Sequence, residues 1–475
     1  MRFRKRLRNI FVLVWIIGLT SCIPAAGQEE QPAATSAETA TLTITRAPEK
    51  TITPTLEPPL KIPDQILPGE EISFWHAWSG DRANWIEGIT ENFNNDNEWG
   101  IQVNMESRAD DSVLLENINQ ALEIGLLPDL VATQPYVLNL FFSQGIPIQD
   151  LNLYINSTQW GISEQEINEI PVVYLKAGQQ GDELTGMPAS RTGYVLFYNQ
   201  SWARELGFNQ IPSTVEEFRD QACAAARSNL SDRDPNNNGT GGLFYQNSPE
   251  AMLSWMESFG GGFGNDTDNR IIFESEGNRI GLEFLYDLYH SDCAWVGRET
   301  RPYRYFAERY ALFYSGNLQD IIIQSSMNQT SGSRDEWTII PYPSGGFKPV
   351  MLLDGHSYGI LAEDSQKALA TWVFIKYMLE ADNQVDQVMQ FAELPISISV
   401  LDQTESLSGE FPAWRQAVDL LPIASNMPAS SDWGIARSLL QDIANQLILF
   451  TTNKEDIPVL LQSADTIMQE MDQSP

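Results

Sequence analysis

Histidine and cysteine are scarce in this chain, three of each in 475 residues. Cys22, Cys223 and Cys293 make no CxxC pair and no Cys/His cluster, so nothing has the ligand spacing of a zinc site, and no metal or other cofactor is expected. Basic residues are few: 29 Lys and Arg stand against 63 Asp and Glu, for a formal charge of −34. Removing the five basic residues at the start would take the chain to −39. Phosphate-backbone binding relies on Lys and Arg, so nucleic acid is excluded as a partner. The acidity favours solubility and suits an extracytoplasmic surface. Beyond the leader no apolar run approaches the roughly 20 residues of a membrane helix. The glycine run Gly260-Gly261-Gly262-Phe263-Gly264 lacks a following Lys-Ser/Thr, so it is not a phosphate loop. It reads as a helix stop, with Gly261 a candidate for close ligand approach. Asp234-x-Asn236-x-Asn238-Gly239 begins like a calcium loop, but its twelfth position is Tyr245 rather than a bidentate Glu, so it reads as a polar turn.

What is present begins with a processing signal. Arg2, Arg4, Lys5, Arg6 and Arg8 precede a short apolar run from Ile10 to Leu19, the pattern of a signal peptide over 1–21. Leu19-Thr20-Ser21-Cys22 follows and resembles a bacterial lipobox, in which the cysteine is acylated and becomes the mature N-terminus. Residues 22–69 are rich in Pro, Thr, Ala and Glu and contain no Phe, Trp or Tyr, the composition of an extended spacer that holds a domain off a membrane. The expected location is the outer face of the cell membrane, held by the lipid on Cys22.

Aromatics appear at once in Phe74-Trp75-His76-Ala77-Trp78, and about 400 residues remain, too many for one ordinary core. Glu71–Trp75 reads as a strand, 81–95 as a helix, and Ile101–Met105 as a strand by its period of two. Asp110 or Asp111 caps a helix carrying Leu114, Ile118 and Ala121, and Pro128–Ala132 reads as the next strand. This β-α-β-α-β order predicts a doubly wound sheet with ligand-binding loops at the strands' carboxyl ends. The loops Trp75–Ser79, Glu106–Asp110 and Thr133–Tyr136 then share one rim. A second unit begins near Leu184. In it Val195–Asn199 is strand-like, Ser213-Thr214-Val215-Glu216 reads as a capping box, and Trp337–Ile340 is a strand. Ile280, Phe284 and Leu288 mark one helix, and Ile435, Leu439, Ile443 and Leu447 another. Cys223 and Cys293 either pair, as an oxidising compartment allows, or remain buried thiols; sequence does not give the geometry that decides.

These segments resemble, in order, the family 1 extracellular solute-binding proteins, the maltose-binding-protein-like group. Ile72–Trp78 is similar to the family's first strand and loop. Gly125-Leu126-Leu127-Pro128-Asp129 matches its G-x-x-P-D strand start. Gly186-Met187-Pro188 followed by Leu196-Phe197-Tyr198-Asn199 matches its hinge and "YN" strand. Ile211–Phe218 resembles P-x-T-W-x-E-F with Val215 in the Trp position, and Phe306–Gly316 resembles F-x-x-G-x-A-A-M-x-x-x-G with Arg309 and Leu312 departing. Glu455–Leu460 resembles a recurrent feature of the family's C-terminal end. The resemblance covers 70–475 and implies an α/β, two-lobed periplasmic-binding-protein-like fold of type II. The ligand cleft lies between lobes joined by crossing hinge segments near 188–191, 350–354 and 395–400. Lobe 1 comprises 70–190 plus 351–395, and lobe 2 comprises 191–350 plus 396–475.

The resemblance also implies a monomeric substrate-binding component of an ABC importer that delivers a sugar or oligosaccharide to permease subunits. A saccharide site pairs aromatic platforms with hydrogen-bonding side chains. The expected ligand-binding residues are Trp78, Ser79, Arg108, Gln134, Tyr136, Arg191, Tyr194, Trp255, Gly261, Asp354, His356 and Trp433, with Trp78 stacking on a sugar ring; Trp75 and Tyr303 are further aromatics near expected loops or lobe edges. No catalytic residue is expected. The rival readings are a secreted carbohydrate-active hydrolase, which needs paired carboxylates across a cleft, a surface adhesion or sensing module without a transporter, and a binding protein for a non-sugar solute. If the lipobox is processed, mass spectrometry of the native protein finds acylated Cys22 as the first residue; an unmodified start further on refutes the anchor.

Overall fold

The computed structural model describes residues 67–265 and 271–472. Cys22, the leader and nearly all of the spacer lie outside that range, so the anchor and tether readings fall on residues not described. Among the described residues, no helix is long and apolar enough to cross a membrane.

Two main sheets organise the chain. In the first, strand Glu71–His76 runs parallel to both Gln102–Ser107 and Leu130–Thr133, while Ser357–Ile360 runs antiparallel beside Leu130–Thr133 and pairs Met187–Pro188 on its other side. Helices Gly80–Asp96 and Asp111–Ile124 make the expected crossovers. Asp110 is the cap of the second, accepting from Val113 N at 2.9 Å, which leaves Asp111 for another task. The Pro128-Asp129 motif is structural: Asp129 Oδ2 accepts from Ser73 N and Oγ at 2.8 and 2.9 Å, fixing the third strand against the first. Phe74 is fully buried, with Phe374 of helix Ser365–Met378 at 5.9 Å and Tyr358 at 6.3 Å. Burying a side chain of this kind contributes about 2–3 kcal/mol.

The second sheet is built around the long strand Thr192–Asn199, which pairs Phe313–Asn317 on one edge and Trp337–Ile340 plus Met351–Asp354 on the other. Leu243–Phe244, Ala294–Trp295 and Ala424–Asn426 complete it. Because Met351–Asp354 pairs with Thr192–Tyr194 and with Ala424–Asn426, it belongs to this second sheet. The chain therefore changes lobe at Gly355–His356, a few residues after the expected boundary at 351. The other crossings lie between Pro188 and Thr192, and after helix Ala381–Phe391.

Two local expectations shift. The capping box is formed by Thr214 and Glu217 rather than by Ser213 and Glu216; Ser213 adds two further bonds to the same Glu217 carboxylate. In helix Trp433–Leu447 the fully buried stripe is Ala436, Leu440, Ile443, Ala444 and Leu447, with Ile435 and Leu439 half-buried at its margin. Cys223 and Cys293 form a disulfide that ties helix Val215–Ser231 to the start of strand Ala294–Trp295, closing 70 residues within the second lobe. On the chain-entropy account such a loop stabilises by about 4 kcal/mol. The paired substitution Cys223→Ala and Cys293→Ala should lower the denaturant midpoint of the second lobe while leaving ligand affinity unchanged; an unshifted midpoint contradicts that role.

Candidate functional site

The two lobes meet directly. Asn426 Nδ2 donates to Val173 O at 2.6 Å, and Asn139 Nδ2 donates to Ala429 O. Between them lies a cavity with only about 20 Å³ free to solvent, room for about one water. Gln134, Pro135 and Tyr136 line it from the cap and first turn of helix Pro135–Ser143, Arg191 and Asp354 from the crossings, and Met427 and Trp433 from the C-terminal part. Tyr136 reaches across: its ring edge lies 3.5 Å from where a side chain at Gly434 would begin.

The cavity lining carries one carboxylate, Asp354, and one guanidinium, Arg191. Asp354 ends its strand and accepts from Gly355 N at 2.7 Å. Burial, then the charge of Glu250, pushes its carboxyl above the ordinary value. Glu250 sits in the buried first turn of helix Pro249–Ser258 and pairs with Arg437 at 2.8 Å. Burial opposes the Arg437 charge, but Glu250, Tyr194 and Asp354 together hold it. Tyr194 is pushed well above its usual value by burial and by Glu250 and Asp354. On the first-lobe side Asp111 accepts from Thr133 Oγ1 at 2.6 Å and from Gln134 N at 3.1 Å, and meets His356 Nε2 at 3.3 Å. Burial works against its ionisation, but the His356 ring and these donors outweigh it and hold the carboxyl low. The arrangement offers carboxylate acceptors, phenol hydroxyls and one indole in a confined space.

Of the residues expected at a ligand, Gln134, Tyr136, Arg191, Asp354 and Trp433 line this cavity, and Tyr194 and His356 adjoin it. The other five, Trp78, Ser79, Arg108, Trp255 and Gly261, do not line it. Trp78 is buried: His76 stacks on it with centroids 5.4 Å apart, and the Arg82 guanidinium lies 5.0 Å from its ring, so it presents no open platform. Trp255 is 1 % exposed among Phe218, Phe284 and Tyr342, in the second-lobe core. Gly261 lets its backbone approach Gly277 and Asn278, where any Cβ would collide, so its constraint is packing. Arg191 spends its guanidinium on Ser190 O, His356 O, Tyr174 O and Ser357 Oγ. Arg108 lies over the Trp75 ring at 3.8 Å and pairs with Glu106, and Ser79 is exposed at the start of helix Gly80–Asp96.

Sequence reading missed Asp111, Glu250 and Arg437. Arg437 follows Trp433 by one helical turn, which places both on one face. The doubled Asp110-Asp111 held a signal too, since a cap needs only one. It also passed over Gly355-His356-Ser357-Tyr358-Gly359, which has the GxSxG spacing of a hydrolase elbow. An elbow ends a strand and exposes its serine; here Ser357 opens a strand, is fully buried and bonds Arg191, so no nucleophile is presented. The Asp232–Gly239 loop closes on itself, with Asp234 N on Asp232 Oδ1 at 2.7 Å and Asn237 Nδ2 on Asp232 Oδ2 at 2.8 Å.

Residues 88–415, more than half of the chain, match the family described as bacterial extracellular solute-binding protein. The chain belongs to that family. This solute-binding protein shares its fold with the sugar-binding protein MalE from Xanthomonas citri, at 19% identity and a TM-score of 0.71 over 85% of this chain and 100% of that one. It is similar to the cyclic α-maltosyl-1,6-maltose binding protein from Arthrobacter globiformis, at 15% identity and a TM-score of 0.68 over 84% and 98%. UgpB from Mycobacterium tuberculosis, solved with glycerophosphocholine, aligns at 16% identity and a TM-score of 0.67 over 85% and 99%. No curated protein sequence matches the chain.

The raised Asp354 carboxyl has a consequence for this solute-binding protein. A carboxyl raised in the folded state favours the fold while protonated, and that contribution is lost as pH rises through the raised value. Ionisation of Asp354 above that value is therefore a burden on the empty protein. Asp354→Asn should raise the melting temperature of the ligand-free protein at pH 7 and leave it nearly unchanged at pH 3; a lower melting temperature at pH 7 contradicts this account.

Proposed function

We propose that this protein is the extracytoplasmic, lipid-anchored substrate-binding component of an ABC importer, and that it works as a monomer which traps a neutral saccharide between its lobes. One observation carries the ligand reading. Asp354 faces the cavity with no cation of its own, beside Tyr136, Tyr194 and Trp433. A sugar supplies what such a wall lacks: hydroxyl donors for the carboxylate and an apolar ring face for the indole. Three carboxylates, Asp111, Glu250 and Asp354, outnumber the two guanidinium groups Arg191 and Arg437 around the cavity, which disfavours phosphate esters as ligands. The sugar-binding structures of like fold point the same way. Attachment through Cys22 fits the extracellular family and would keep the protein beside its permease.

Binding requires the lobes to part and close again, since the present cavity is too small for a sugar ring. Closure about the three crossings gives the permease a shape to read.

A thermal-shift screen of the mature protein tests the reading against neutral mono- and oligosaccharides, glycerophosphodiesters and polyamines. A neutral saccharide should raise the melting temperature, since ligand at 100 times Kd stabilises by about 2.7 kcal/mol. Stabilisation by a phosphodiester or a polyamine alone overturns the saccharide reading, and steady release of smaller sugars supports the hydrolase instead. With the stabilising sugar in calorimetry, Trp433→Ala should weaken binding roughly thirtyfold, as the loss of a central aromatic anchor of about 2 kcal/mol does. Unchanged affinity removes Trp433 from the site. Binding should also weaken as pH falls through the raised Asp354 value, because only the ionised carboxylate accepts from sugar hydroxyls at full strength.

A further inference from the structure

We propose that Glu393 is a positioning residue that sets the balance between closed and open lobes, and hence affinity, without touching the ligand. Glu393 lies just past helix Ala381–Phe391, on the third crossing, and is 3 % exposed. One of its oxygens, Oε1, is shared across the lobes. It meets Arg82 Nη1 of the first lobe at 2.7 Å and accepts from Gln319 Nε2 of the second at 3.0 Å. The other oxygen accepts from Gln387 Nε2 at 2.8 Å, and the same amide donates to Ala189 O on the first crossing at 3.1 Å. The backbone is held as well: Trp414 Nε1 donates to Glu393 O at 2.9 Å, and Leu394 N donates to Arg191 O at 2.8 Å.

Each partner is fixed in place. The Arg82 guanidinium lies 4.8 to 5.1 Å from the rings of Trp78, Trp85 and Phe391, so it has no freedom to follow a moving carboxylate. Gln319 sits between strand Phe313–Asn317 and helix Asp320–Ser331, and the neighbouring Leu318 N is held by Thr192 Oγ1 at 3.2 Å. Ala392, immediately before Glu393, adopts φ +50° although it is not glycine. Such a conformation persists only where the surroundings enforce it. A carboxylate held by a strained backbone, with an ion pair to one lobe and a hydrogen bond to the other, favours the arrangement in which both contacts are made. Rotation that parts the lobes separates Arg82 from Gln319, and the shared oxygen then keeps only one of them.

The inference rests on closure being the act of binding, but its test needs no ligand. Inter-lobe distances are measured by electron paramagnetic resonance between spin labels on Thr158→Cys in the first lobe and Leu230→Cys in the second, both exposed positions. The ligand-free mature protein serves as reference. Gln319→Ala removes the second-lobe arm, and Gln319→Glu sets a like charge against Glu393. Both change an exposed residue, so folding is preserved. The open-to-closed ratio should rise about fivefold in Gln319→Ala, the low end for coupled sites, and further in Gln319→Glu, with the melting temperature unchanged. Glu393→Gln should act in the same direction, although it leaves a buried Arg82 without a counter-charge and lowers stability. A distance distribution in Gln319→Glu identical to the reference overturns the proposal, whatever the ligand proves to be.

Discussion

The Arg191 guanidinium binds the parts of the molecule that must move relative to one another. Two chain crossings meet at its side chain: it donates to Ser190 O at 2.7 Å and His356 O at 2.6 Å, and to Tyr174 O and Ser357 Oγ on the first-lobe side. Its own carbonyl receives the third crossing through Leu394 N. Burial lowers its pKa to about 10, with Tyr174, Asp354 and Glu393 opposing that shift, so it stays charged at neutral pH. A buried cation costs several kcal/mol in desolvation unless its donors are satisfied. Here backbone carbonyls do most of that work, and they are contributed by segments that would otherwise lie free of one another. The crossings thus form a compact knot of main chain around one charge, about which the proposed closure would turn.

This arrangement explains what sequence could and could not show. The first-lobe strands and helices were legible because alternation and i, i+4 spacing report burial on one face, as in Ile101–Met105 and in Leu114, Ile118 and Ala121. The order of short motifs disclosed the family because each marks a turn or strand start that the fold requires, such as Asp129 clamping Ser73. Tertiary assignment was harder. Trp78 and Trp433 look alike as sequence, one after a strand and one opening a helix. Both are buried; what separates them is that His76 and Arg82 cover the first, while the second, packed beside Phe263, also lines the cavity between the lobes. Arg191 lines the cavity yet is bound to carbonyls, and carbonyls have no identity in a sequence. Met351–Asp354 joined the second sheet through pairing partners more than 70 residues away in Ala424–Asn426, which no local pattern encodes.

The cleft electrostatics follow from where charges are compensated. Asp111 and Glu250 each have a partner, His356 at the second crossing and Arg437 in the same lobe. Asp354, at the end of a strand that leads directly into the second crossing, has only its neighbour's N–H. The least satisfied group of the site is therefore also the one nearest the pivot.

The small cavity between the lobes has a kinetic meaning. With space for about one water, nothing the size of a sugar ring passes while the lobes stand as they do here. Escape then waits on the opening motion, and the dissociation rate of every trapped solute has the opening rate as its ceiling. Solutes of different affinity would share that ceiling and differ in how often an opening ends in departure. The pivot sets the upper limit on departure, and the ligand's own contacts set how far below it each solute falls.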